Sequence, residues 1–510
     1  MPESARPGTV FLVGAGPGDP RLITVRGLEC LRQAEVVVYD RLASPELLSH
    51  APDGAEQIFV GKGPREHTMT QDEINALLVE RGLAGKTVVR LKGGDPYVFG
   101  RGGEEALALG AAGVPFEVVP GITSAIAGPS FAGIPVTHRQ VASSFAIVTG
   151  HEDPTKPESA IRWAGLANGP DTLVFLMGVE NLQRIVESLQ RHGRPASQPA
   201  AAIRWATTPE QQVVIGTLDD IAERVRAADL RPPAVLVVGD VVGLRESLDW
   251  RARLPLAGLR VLVTRARQQA SALSSRLVEL GAVPLEYPTI EIRPVDDPAP
   301  FDAAIAEVGS FAWIVFTSTN GVEAFWERLL VARRDSRSLA ACKVCAIGPS
   351  TAAALAARGI TADWMPAEFV TGSILDGFSA YDLRGARVLL ARADIAPPLL
   401  ADGLREQGAL VTEVTAYRTV PSPESRDRLM DALERRAVDV VTLTSSSTAR
   451  NLVDGIGGRL DVLSGLAVAS IGPVTSQTAR ELGLRIDLEA PVHTIPGLVD
   501  ALVAWSAGRA

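Results

Sequence analysis

Cysteine is nearly missing from this chain. Three residues, Cys30, Cys342 and Cys345, occur among 510. That is too few for a disulfide framework, so a reducing compartment is expected. Cys342 and Cys345 have the spacing of a redox pair. They lie in the strand-like run CKVCAIG, however, and are read as ordinary strand residues. The six histidines are scattered without metal-ligand spacing, and no metal site is expected. Positive charge is in deficit, 50 Lys and Arg against 59 Asp and Glu. This argues against a general nucleic-acid binder, whose surface needs a basic stripe. Local arginines can still hold a carboxylated ligand on an acidic protein. No apolar run approaches the roughly 20 residues that span a bilayer, so no membrane partner is expected. The opening MPESARPGTV lacks the basic and apolar regions of a signal peptide. The expected location is the cytoplasm.

What is present divides near residue 250. The length implies several domains, and 46% hydrophobic residues is ordinary for a folded protein. The first half alternates apolar runs (TVFLVGAG, EVVVYD, TVVRLKGG, FEVVPG, SFAIVTG, TLVFLMG, AVLVVGDVV) with helix-like intervals at 21–34, 71–81, 103–112 and 182–192. This predicts an α/β fold with mostly parallel strands. GHEDPTKPESA reads as a loop, and RESLDWRARLPLAG as the connector between halves. The second half is duplicated. RVLVTRA and RVLLARA begin 127 residues apart at Arg260 and Arg387, as do the matched Thr317 and Thr444. IGPST and IGPVT begin 124 apart, at Ile347 and Ile471. Ordered repeats imply two similar α/β lobes. LEYPTIEIRPV (285–295) and VTEVTAYRTVPS (411–422) occupy matching places and are expected to pair as a two-strand connector. A sizeable ligand would bind in the cleft between the lobes.

In the first half, GAGPGD follows a strand and precedes a helix, so its glycines admit close backbone approach to a ligand. A dinucleotide-binding turn is the nearest alternative, with Asp40 near the place of a ribose-binding acid. The glycines at 14, 16 and 18 do not fit that spacing. GAGPGDP, YDRL, GKG, LKGGDPYVFGRGGEE, VPGITSA, GIPVTHR and FLMG occur in this order. Together they resemble the tetrapyrrole methylases, specifically the uroporphyrinogen-III C-methyltransferases, over about 8–248. The resemblance implies lobes at about 8–119 and 120–248, a homodimer formed through this half, and S-adenosyl-L-methionine as methyl donor. It places Pro17, Gly93, Gly94, Asp95, Val98, Thr123, Ser124, Met177 and Ala206 at the donor site. Ala206 stands where relatives tend to carry glycine. Asp95 read alone is also a turn residue before Pro96, and Met177 a core residue. Asp40 and Lys62 match the family's acid–base pair, since methylating a pyrrole carbon obliges a proton to leave the ring system. Read alone, both are solvated charges. Arg101, His138 and Arg139 are candidate contacts for a substrate rich in carboxylates.

The second half has no catalytic constellation of its own. Its hydroxyl-rich turns TSTNG, GPST, TSSST and GPVTS are each a helix N-cap taken singly. Four at equivalent places suggest an anion-lined cleft. With RVLVTRA, LEYPTIEI and TAYRTV they resemble uroporphyrinogen-III synthase over about 258–506, after a linker at 249–257. The expected lobes are 258–290 with 421–506, and 291–420. The family closes linear hydroxymethylbilane with loss of water and needs no cofactor. Tyr417 matches its implicated tyrosine and is otherwise connector packing. Thr317, Ser318, Ser445 and Thr475 are hydroxyl candidates for carboxylates, and Arg265 and Arg392 could face the cleft. Ser446 replaces an expected proline, which predicts a less rigid loop. The resemblances imply a bifunctional enzyme that makes uroporphyrinogen III and methylates it twice, through precorrin-1 to precorrin-2, towards sirohaem and cobalamin. The alternative is a methyltransferase fused to a non-catalytic tetrapyrrole sensor.

Overall fold

The computed structural model describes residues 7–61, 69–151, 161–264, 267–287, 290–366, 371–421 and 423–508. The chain forms two compact units, dividing between Gly258 and Leu259, with 278–283 grouped with the first.

The first unit holds two five-stranded sheets. Strands β1 (Val10–Gly14), β2 (Val36–Tyr39), β3 (Glu56–Phe59), β4 (Val88–Lys92) and β5 (Phe116–Val119) form one, in the order β3-β2-β4-β1-β5. All its pairings are parallel. Its central strands VFLVG and VVRLK are buried at every residue. Helices cover both faces of such a sheet, so its strands read as unbroken rather than alternating runs. The connection from β1 runs towards β2, and that from β4 runs to β5 on the other side. The strand order therefore reverses between β1 and β4, where open parallel sheets leave a crevice beyond their carboxyl ends. The helix Gln71–Leu83 begins with a capping box between Thr70 and Glu73, legible in TQDE. The expected helix at 21–34 is instead a short 3₁₀ turn, Pro20–Leu22, and a helix Val25–Arg32 capped by Thr24.

The second sheet departs from the expected parallel pattern. β6 (Phe145–Thr149), β7 (Thr172–Leu176), β8 (Pro199–Arg204), β9 (Gln212–Thr217) and β10 (Ala234–Val238) are ordered β6-β7-β10-β8-β9. Only β6 and β7 pair in parallel, while β7–β10, β10–β8 and β8–β9 are antiparallel. The reason is connection length. A parallel crossover needs about a dozen residues or more, whereas only 205–211 join β8 to β9. That turn closes through left-handed backbone at Trp205 and Thr207 (φ 44° and 72°).

The segment expected to connect the halves packs on the first unit. It forms a helix, Arg245–Leu248, and a 3₁₀ turn, Arg251–Arg253. Trp250 meets Phe131 edge to face at 5.4 Å and donates from its indole N–H to the Ser130 carbonyl. Arg251 lies over the same ring.

In the second unit the strands are β11 (Arg260–Val263), β12 (Val283–Glu286), β13 (Ile290–Arg293), β14 (Trp313–Phe316), β15 (Lys343–Ala346), β16 (Arg387–Ala393), β17 (Leu410–Pro421), β18 (Val440–Leu443), β19 (Ala467–Ser470) and β20 (Leu488–Glu489). One sheet runs β12-β11-β18-β19-β20, the other β13-β17-β16-β14-β15. The duplication is realised element for element. β14 and β18 start 127 residues apart, and each leads into a helix capped by a serine, Ser318 or Ser445. β13 pairs antiparallel with the end of β17, Ile290 opposite Pro421 and Arg293 opposite Arg418, which is the two-strand connector. Among the described residues no helix is long and apolar enough to cross a membrane.

Candidate functional site

In the first unit the glycine-rich loops meet at the reversal of strand order. Gly16 and Gly94 exchange backbone hydrogen bonds of 3.2 and 2.7 Å, and Ala15 N–H donates to the Lys92 carbonyl at 2.7 Å. Gly14 is packed so tightly that a Cβ would lie 2.7 Å from the Gly94 oxygen and overlap Gly121. A Cβ on Gly93 would stand 2.5 Å from Leu42. Gly94 is different. Its backbone is left-handed (φ +69°), and a Cβ there would meet nothing nearer than Thr123 Cα at 3.8 Å. A small cradle therefore lies over the Thr123–Ser124 peptide, which opens the helix Ser124–Phe131 with Thr123 as its N-cap. Large apolar side chains stand exposed on the loops that follow β2, β4, β5 and β7 (Leu42, Tyr97, Phe99, Ile122 and Met177) and, at Ile126, on the helix that Thr123 caps. A grouping of this kind marks a binding surface for a large apolar-bodied ligand.

Most of the residues expected in this site fall on these loops. Asp95 accepts from Tyr97 N–H at 2.8 Å and from Gly121 N–H at 3.0 Å, so its carboxylate ties the β4 loop to the β5 loop. Met177 is not in the core. It is 51% exposed on left-handed backbone (φ 56°). Strain of this type collects at ligand sites, where the surroundings hold it. Pro17 and Val98 are partly buried on the two glycine loops. The first loop also reaches the β8–β9 turn, where Asp19 N–H donates to Thr207 Oγ1 at 3.0 Å. Ala206, in that turn, points its methyl into the core, and a Cβ on Gly128 would sit 3.5 Å from it. Arg101 is exposed and paired with Glu104 at 2.7 Å. His138 and exposed Arg139 lie in the turn closed by His138 N–H to the Ala142 carbonyl. Lys62 lies outside the described residues.

Asp40 directly follows β2, with its side chain 26% exposed. Oδ1 accepts from Leu42 N–H at 3.0 Å, and Oδ2 is 3.4 Å from Arg90 Nη2. Behind it is a group that sequence reasoning missed. Arg90 and Lys92 occupy the same face of β4, and both approach Glu105 Oε1, at 3.1 and 2.7 Å. Glu105 has no exposed surface. Burial, and then the charge of Arg90, push the Lys92 ammonium below its usual range. One signal was available. Two charges in a strand whose neighbours are all apolar need a buried partner.

The second unit presents hydroxyls at strand ends. Ser318 Oγ accepts from Gly321 N–H at 3.0 Å and lies 3.0 Å from the Tyr417 phenol oxygen. Thr317 precedes it, partly buried. Tyr417 is nearly buried, and burial raises its phenol above the usual tyrosine range while Ser318 and Asn320 oppose the shift. In the other lobe Ser445 caps its helix through Thr448 N–H, and buried Thr475 lies in the first turn of the helix Pro473–Glu481. Thr264 Oγ1, Thr444 Oγ1 and Ser476 Oγ are buried without a partner among the described residues. Buried hydroxyls of this kind call for a ligand or water. Arg392 does not face an open cleft. Its guanidinium is 4% exposed, pairs with Glu413 and donates to the Pro397 carbonyl at 3.0 Å. Arg265 lies outside the described residues. Ser446 opens the helix Ser446–Gly455; Thr478 Oγ1 donates to its Oγ at 2.9 Å, and that Oγ donates to the Val474 carbonyl at 3.4 Å.

The comparisons with known proteins divide the chain in the same way. Residues 9–222 match the family model of Tetrapyrrole (Corrin/Porphyrin) Methylases, and residues 271–500 that of Uroporphyrinogen-III synthase HemD. The porphyrin biosynthesis protein HemD of Ruminiclostridium josui is 37% identical over 503 residues, 98% of this chain and 99% of the relative. A uroporphyrinogen-III C-methyltransferase of Bacillus subtilis (strain 168) is 44% identical over 354 residues, 69% of this chain and 72% of the relative. The S-adenosyl-L-methionine-dependent uroporphyrinogen III methyltransferase of Methanosarcina barkeri is 53% identical over 241 residues, 47% of this chain and 94% of the relative.

Proposed function

From a chain that belongs to the tetrapyrrole methylases through its first half and to the uroporphyrinogen-III synthases through its second, we propose a bifunctional enzyme. The second half converts hydroxymethylbilane to uroporphyrinogen III. The first half methylates that product twice, through precorrin-1 to precorrin-2, for sirohaem and cobalamin. The observation that carries the first activity is the meeting of the GAGPGDP and GGDP loops at the strand-order reversal, with Asp40 beside them. The open cradle at Gly94 and the exposed apolar rim fit S-adenosyl-L-methionine as the donor. When bound, that group supplies an electrophilic sulfonium methyl. Gly94, the Thr123–Ser124 peptide and Met177 hold the donor. The rim residues Leu42, Phe99 and Ile122 cover the apolar body of the macrocycle and keep water from it. Asp40 accepts the proton that the ring system releases as its carbon gains the methyl.

In the second half the neutral Tyr417 phenol, aligned by Ser318, donates to the departing hydroxyl of the linear substrate. The unpartnered Thr264, Thr444 and Ser476 hydroxyls fit the carboxylates of its side arms. The halves are tested separately. Purified protein given uroporphyrinogen III and donor is expected to yield dimethylated product. Given hydroxymethylbilane alone, it is expected to yield the type III ring. Retention of the type I ring only, which forms spontaneously, overturns the second activity.

A further inference from the structure

We propose that Glu105, acting through Arg90, is a positioning residue for Asp40 in the methyltransferase half. The inference rests on the proton-accepting role given to Asp40 above.

Three separate segments meet in this arrangement: the loop after β2 carries Asp40, β4 carries Arg90 and Lys92, and the helix Gly102–Ala111 carries Glu105. The Arg90 guanidinium is 4% exposed and its donors are spent in three directions. Nε donates to Glu105 Oε1 at 3.1 Å, Nη1 to the Leu91 and Val38 carbonyls at 3.1 and 3.4 Å, and Nη2 faces Asp40 Oδ2 at 3.4 Å. A planar fork held at so many points presents its outer edge in one orientation. Asp40 is thus held from two sides, by that edge and by Leu42 N–H at 3.0 Å. Glu105 anchors the inner end. Its Oε1 receives Arg90, Lys92 at 2.7 Å and Gln71 at 3.3 Å.

Stability alone is a poor reason for the cluster. Buried ion pairs lose in desolvation much of what they gain in attraction, and apolar residues of equal volume often serve as well. What the charges provide that apolar packing does not is a fixed cation directly against the partly exposed Asp40 carboxylate. Glu105 touches neither donor nor substrate, so its effect reaches the chemistry only by way of Arg90.

A double-mutant cycle in the full chain tests this. Glu105→Gln is expected to lower the methylation kcat by about tenfold while KM for uroporphyrinogen III and calorimetric affinity for S-adenosylhomocysteine stay within about twofold. In an Asp40→Asn background the same Glu105→Gln change is expected to alter kcat by less than about twofold, because the group it positions is gone. Equal losses in both backgrounds overturn the inference, and so does a wild-type kcat in Glu105→Gln. If Asp40→Asn itself keeps full kcat, the role of Asp40 fails first. Removing a buried charge could instead unfold the half. Arg90→Lys then replaces Glu105→Gln in the cycle, since an ammonium cannot span Glu105 and Asp40 together. Both variants are compared at equal thermal midpoint and with the ring-closing activity of the second half as internal control.

Discussion

Replacing Asp40 by asparagine keeps the bond from Leu42 N–H but removes the proposed proton acceptor. Methylation is expected to slow by about a hundredfold or more, with S-adenosylhomocysteine binding retained in calorimetry; an unchanged rate contradicts the assignment. Tyr417→Phe removes the phenol, while Ser318 keeps its own bond to Gly321 N–H. The stability cost is expected to be about 1 kcal/mol, but ring closure is expected to slow by about tenfold or more; full ring-closing activity reduces Tyr417 to connector packing. The cysteines of CKVC are expected to be inert. Burial pushes the Cys345 thiol up to about 12 and raises Cys342 as well. Thiolate is therefore scarce below those raised values and grows only as pH climbs towards them. The two also pack with different core clusters, Cys345 with Trp313 and Phe378, Cys342 with the cluster of Phe301 and Phe325. At pH 8 iodoacetamide is expected to leave native Cys345 unmodified, as mass spectrometry can show; rapid labelling in the folded state contradicts this.

At the scale of elements, the glycine loops are held by backbone contact rather than side chains. A methyl at Gly121 overlaps both Gly94 and Gly14. Gly121→Ala is therefore expected to destabilise the first half by ~1–3 kcal/mol and to abolish S-adenosylhomocysteine binding; thermal melts with and without that ligand check both. The parallel strands were legible because burial on two faces writes unbroken apolar runs such as VFLVG. The duplicated lobes were legible because each strand and serine cap recurs at the same interval. β9 was not, since QVVIGT is half exposed and carries no such run. The antiparallel course of that sheet depends on a seven-residue turn with two left-handed residues, which no hydrophobic period announces. The docking of the connector was not legible for a related reason. Trp250 and Arg251 lack periodicity because they dock on one ring, Phe131, and not along a helix face. The candidate site was legible where glycines and Asp40 stand on loops. The Glu105 cluster was hidden because its members are remote in sequence and meet only when β4 packs against its helix.

At the scale of the whole chain, joining the proposed producer and consumer of one unstable intermediate would raise its local concentration at the second site. Less uroporphyrinogen III is therefore expected to escape to bulk from the intact chain than from equimolar separated halves; equal release removes any benefit of fusion. The central claim is that one chain performs both reactions. The most direct measurement supplies purified full-length protein with hydroxymethylbilane, with and without S-adenosyl-L-methionine, then oxidises and separates the tetrapyrroles. The account predicts the type III ring without donor and dimethylated product with it. The type I ring alone in both reactions would contradict it and make the second half a tetrapyrrole sensor.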